Sequence, residues 1–131
     1  MLEKMLNNNE IGEFLIKRIK ISKPQLDTLL ITLSNKDAHS LNKIILQRDK
    51  GIVSKGSFSR TLKQAKKNVE ISLYTLIILE YFSIIEKNQI INLIKIGSNL
   101  KKISDNNIVN DKVNIILDQI SFAISNIYDK K

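Results

Sequence analysis

Apolar residues in this chain recur mainly three and four positions apart, the period of a helix with one buried face. Ile11, Phe14, Leu15 and Ile19 fit a short amphipathic helix, although the Ile19-Lys20-Ile21 alternation fits a strand equally well. Ser22, Pro24 and Gln25 make a good helix start: a capping hydroxyl, a proline in the first turn, and an amide placed to complete the reciprocal cap. That helix is expected to bury Leu26, Leu29, Leu30 and Leu33. After a polar restart at 34–37, a second helix from Asp37 to Arg48 would turn Ala38, Leu41, Ile44 and Ile45 inward, with Gly51 as the residue that takes positive φ beyond it.

Ser54 is placed to cap a third helix. In it, Phe58, Leu62, Ala65 and Val69 recur at spacings of four, three and four, and at ~100° per residue they form a narrow inward stripe. Arg60, Lys63 and Lys67 fall opposite, with Gly56 among them. Ser57 and Gln64 flank that face on one side, Ser59 and Lys66 on the other. Residues 69–85 are densely apolar and read as a buried helix that continues the third or kinks away near Asn68. Its β-branched and aromatic content makes a strand the alternative. Ser83 and Glu86 form a capping-box pair expected to open another helix to about Lys102, and after a polar break at 104–107 a last helix is expected from about Ile108 to Tyr128.

The expected architecture is therefore all-α: one compact domain over 1–131 with five or six helices, the C-terminal packing helices lying at about 84–128. Four glycines and one proline are too few for the many tight turns of a sandwich or barrel. The chain holds no cysteine, which excludes disulfides and thiolate metal sites, and its one histidine, His39, reads as a surface or capping residue. No cofactor and no metal site are implied. The longest apolar-rich run is broken by Glu70, Ser72, Thr75, Glu80 and Ser83, so no membrane span is expected, and with no leader-like start a cytoplasmic location is the expectation.

Charge changes this picture. The net charge is +8, and residues 43–69 carry +7 of it: Lys43, Arg48, Lys50, Lys55, Arg60, Lys63, Lys66 and Lys67 against Asp49 alone. Residues 70–131 carry seven charges of each sign. A positive field concentrated in this way attracts polyanions. The free N–H groups of a helix start bind phosphate, and Ser54, Lys55 and Ser57 add donors there, with Gly56 allowing close approach. Arg60 can pair with guanine and Gln64 with adenine. Lys55, Lys63, Lys66 and Lys67 are cast as backbone contacts, and Ser59, Lys43 and Arg48 are further candidate nucleic-acid-binding residues.

Residues 53–63, Val-Ser-Lys-Gly-Ser-Phe-Ser-Arg-Thr-Leu-Lys, resemble the start of the recognition helix in helix-turn-helix regulators of the tetracycline-repressor type. Ser59 stands where that family prefers tyrosine, and the 37–48 helix lacks its small-residue pattern. The resemblance implies a helix-turn-helix-like unit at about 23–68, duplex DNA as partner, a role in transcription regulation, and binding as a two-fold dimer. An RNA-binding protein, or a helical interaction module meeting an acidic protein, are the alternative functions. No phosphate loop, nucleophile elbow or metal cluster suggests an enzyme, and Glu80, inside an apolar run, is the one carboxylate placed like a buried acid. For the dimer, Val109, Val113, Ile116, Ile120, Ala123 and Ile127 recur in an a/d pattern and are the expected contact between copies.

Overall fold

The computed structural model describes residues 1–35, 41–49, 51, 53–105 and 110–127. Every regular element among them is a helix: α1 (Leu2–Leu6), α2 (Glu10–Ile16), α3 (Lys23–Ser34), α4 (Leu41–Ile45), α5 (Lys55–Tyr81), α6 (Lys87–Asp105) and α7 (Asn110–Ser125). The all-α expectation holds, with seven described helices instead of five or six. The additional one is α1, in a stretch whose polarity hides it. None of these helices is long and apolar enough to cross a membrane. The contacts divide the chain into two compact units, residues 1–72 and 73–131, and α5 runs through the boundary.

In the first unit, α1 packs on α2 and α3. The core is made by Leu2, Ile11, Ile31, Ile45, Phe58 and Ala65, with Thr28 and Asp27 buried among them. Thr28 satisfies its hydroxyl on the Pro24 carbonyl at 2.8 Å. The expected cap of α3 is present: Ser22 Oγ accepts the Gln25 N–H and Gln25 Oε1 accepts the Ser22 N–H, both at 3.3 Å. The Ile19–Ile21 segment forms no strand, and Arg18 beside it stacks 3.5 Å from the centre of the Phe14 ring.

The buried face of α3 differs from the leucine stripe its sequence suggests. Asp27, Thr28 and Ile31 point inward, Leu26, Leu29 and Leu30 are half-buried, and Leu33 is 59% exposed. The cause is a polar task at Asp27. Its carboxylate accepts the Leu2 N–H at 2.9 Å and the Asp49 N–H at 3.0 Å, and lies 3.4 Å from the Met1 ammonium. Asp49 in turn accepts from the Glu3 N–H at 2.9 Å and from the Met1 ammonium. Burial works against the charge of Asp49, yet these hydrogen bonds hold its carboxyl below the ordinary value. A depressed acid contributes stability above its unfolded pKa and loses it as pH falls through the folded one.

Three described residues carry positive φ: Asn8 (φ 54) between α1 and α2, Gly51 and Ser83. Gly51 (φ 77) follows the short α4 and the 3₁₀-like turns after it, as expected from the sequence. Ser83 (φ 57) was expected to open a helix and instead closes one. The Ile84 N–H reaches the Leu79 carbonyl at 2.8 Å and the Ser83 N–H reaches Glu80 at 2.9 Å, the paired bonds that end a helix on a left-handed residue. A serine there costs ~1 kcal/mol relative to glycine. The start of α6 is displaced to Glu86, whose N–H is held by Gln89 Oε1 at 2.9 Å. Helix α6 then runs through Ser104 and Asp105, and the rest of the expected break, 106–107, lies outside the described residues.

The second unit buries Ile85, Leu100, Val113, Ile120 and Ile127. The a/d seam of α7, expected to meet a second copy, is therefore largely core: Val113, Ile120 and Ile127 are buried, and Ile116 and Ala123 are half-buried. The seam itself is covered, while Ile115 and Phe122 on its flank are 58 and 69% exposed. Val109, Ala38 and His39 lie outside the described residues. The expectation of a buried helix at 69–85 fails over most of its length: Ile71, Leu73, Tyr74, Ile77, Ile78, Tyr81, Phe82 and Ile84 are exposed, Val69, Leu76 and Leu79 are half-buried, and Ile85 is buried.

The Asp27 linkage generates a test. Asp27→Asn keeps the shape and removes the charge and one acceptor, so urea denaturation should show a loss of about 2 kcal/mol. An unchanged midpoint would mean that Asp27 does not join α1, α3 and the Asp49 turn.

Candidate nucleic-acid interface

The basic face owes its position to the packing of α5. Phe58 and Ala65 are 1% and 0% exposed, Leu62 and Val69 are half-buried, and these four residues are the stripe anticipated from spacing. Ser54 caps the helix, its Oγ accepting the Ser57 N–H at 3.1 Å, and Phe58 N–H bonds the Ser54 carbonyl at 3.0 Å. Asn68 Nδ2 donates to Gln25 Oε1 at 2.8 Å, so the amide that caps α3 also grips α5. Anchored by ring, cap and amide, the helix has no freedom to roll its cations inward.

The opposite face is open to solvent. Lys55, Gly56, Ser59, Arg60, Lys63, Gln64, Lys66 and Lys67 are exposed, and Ser57 is half-buried. Among the described residues, no ion pair engages any of the five α5 cations. A Cβ placed on Gly56 would meet no atom within 4 Å, so nothing in the chain itself requires glycine there. The Ser57 N–H, counted among the helix-start donors, is already taken by Ser54.

Two further expectations resolve differently. Lys43 on α4 is exposed, as a backbone contact must be. Arg48 is 9% exposed, and its Nε is buried with no hydrogen-bond partner. It belongs with the Asp27–Asp49 turn and not with the exposed cations. The helix-turn-helix geometry is also loose. Residues 46–54 separate α4 from α5, nine positions where the motif uses a turn of three or four. Glu80, the candidate buried acid, is exposed.

No family model matches the chain, and neither a curated protein nor a solved structure is similar to it.

The contrast between Arg48 and the α5 cations can be measured. Arg48→Met should leave the salt dependence of polyanion binding by the folded protein unchanged, because a buried guanidinium releases no counterions. A slope flattened by ~1 unit in salt-series titrations would return Arg48 to the contact surface.

Proposed function

We propose that the chain binds duplex DNA through the outward face of the first half of α5. The observation that carries this reading is the set of exposed cations Lys55, Arg60, Lys63, Lys66 and Lys67, in no ion pair among the described residues, on a helix segment whose other face is fixed in a core. Such a rod matches the width of a major groove, where helix residues reach base edges while lysines neutralise the flanking phosphates. Arg60 and Gln64 are the base readers in this reading, and Lys55, Lys63, Lys66 and Lys67 hold the backbone, with Lys43 adding to the field.

Burial of Phe58 favours duplex over single strands. Single-stranded RNA is gripped largely by stacking on exposed rings, and the one ring in the basic segment is 1% exposed. Two copies would double the contacts on a two-fold site, so a homodimer belongs to the same proposal. A reader of one preferred sequence would be a transcription regulator. A binder with no preference would be architectural.

Titration of random and selected duplexes across a salt series tests the assignment. Lys63→Ala with Lys67→Ala should weaken binding to every duplex and flatten the log–log slope by ~2 units. In the same series, Arg60→Lys keeps the charge but loses the planar fork, and should reduce discrimination by ~1–3 kcal/mol more than it reduces random binding. Unchanged affinity in the folded double variant would remove α5 as the interface. A parent slope near zero would point to an acidic protein partner instead.

A further inference from the structure

The second half of α5 has a surface that the fold leaves uncovered. Tyr74, Ile77, Ile78 and Tyr81, at positions i, i+3, i+4 and i+7, are 70, 62, 47 and 76% exposed, and Leu73 and Phe82 beside them are 54 and 63% exposed. Tyr81 and Phe82 meet edge to face at 5.1 Å, which keeps the end of the stripe ordered. With about 100–150 Å² open on each ring and somewhat less on each aliphatic chain, the patch is on the order of 700 Å². The largest apolar patch of an ordinary monomer is ~300–600 Å², and one side of a standard protein interface is ~800 Å².

The geometry points to a second copy of this chain as the occupant, joined by antiparallel pairing of these α5 segments. The inference rests on the homodimer reading and moves its contact from α7 to α5. Three observations support it. The area suffices for one partner of a stable dimer. Residues 70–131 carry seven charges of each sign, so this half of the chain has no net repulsion to overcome when it meets itself. The stripe is also self-complementary about a two-fold axis between Ile77 and Ile78: Ile77 of one copy meets Ile78 of the other and Tyr74 meets Tyr81, while Leu73 and Phe82 lie on opposite flanks of the seam. Parallel pairing is disfavoured by charge. Lys67, Lys63 and Arg60 lie one, two and three heptads upstream of Tyr74, Ile77 and Tyr81, so a parallel pair would bring like charges face to face. The antiparallel arrangement sends the two basic segments in opposite directions.

Sedimentation of the full chain, with and without Ile77→Glu plus Ile78→Glu, tests the inference. Both side chains are exposed, so the variant should keep its helical spectrum. The dimer should weaken at least about a hundredfold as buried like charges meet across the axis. A folded variant that remains as dimeric as the parent overturns the assignment to α5. Cysteine pairing gives a second reading on substitutions that leave the stripe largely apolar, in a chain with no cysteine of its own. On oxidation, Tyr74→Cys mixed with Tyr81→Cys should form a mixed dimer, and Tyr74→Cys alone should not, because its two copies sit ~10 Å apart along the axis, beyond disulfide reach. Cross-linking of Tyr74→Cys alone, or none in the mixture, overturns the register. A monomeric parent overturns the pairing, and its sedimentation with neutral phosphatidylcholine vesicles would assign the stripe to a lipid surface. Duplex titrations of the same samples separate these failures from failure of the DNA reading, since every α5 cation is retained.

Discussion

Burial of Phe58 and Ala65 in the first unit is the constraint on which the remaining geometry depends. These two side chains, 1% and 0% exposed, fix the rotation of α5 about its own axis. Once that rotation is set, the 3.6-residue period leaves no choice for the others: Arg60, Lys63 and Lys67 must point away from the core. Burial of a Phe side chain contributes ~1.5–3 kcal/mol, whereas burying one unpaired ammonium would cost more than that. The apolar and the charged residues therefore favour the same rotation. The Ser54 cap and the Asn68–Gln25 hydrogen bond add direction to what packing starts.

Charge is distributed as if the two halves of α5 had separate tasks. The first half carries exposed cations and no acid before Glu70, which suits a polyanion. The second half carries exposed rings and aliphatic chains within a region of zero net charge, which suits an apolar partner. A long continuous helix allows both without a linker. The cost falls on the second unit, whose buried side chains (Ile85, Leu100, Val113, Ile120 and Ile127) are few for the apolar surface it leaves open. Covering that surface is the physical reason to expect a partner there.

Periodicity revealed most of the helices and the inward stripe of α5, because Phe58, Leu62, Ala65 and Val69 keep strict helical spacing beside strongly polar neighbours. The caps at Ser22 and Ser54 were legible for a similar reason: they depend on bonds within four residues. Interactions between distant residues were not legible. Asp27 buries its carboxylate to hold the N–H groups of Leu2 and Asp49, 25 and 22 positions away, and that rotates the leucines of α3 off the core. Arg48 looks like any surface cation until the same turn encloses it. Residues 69–85 are apolar on too many sides for spacing to say which side is buried. Ser83 has the residue type of a helix start and the backbone of a helix end, a distinction that φ alone makes.

Amine-reactive labelling of each lysine with and without duplex DNA is the most direct check on the account. If the fixed outer face of α5 is the interface, Lys55, Lys63, Lys66 and Lys67 should become protected at saturating duplex. Lys87, Lys95, Lys101 and Lys102, which are also exposed on α6, should label at the same rate as in the free protein. Protection shared evenly between the two groups, or confined to α6, would contradict the claim that α5 meets nucleic acid.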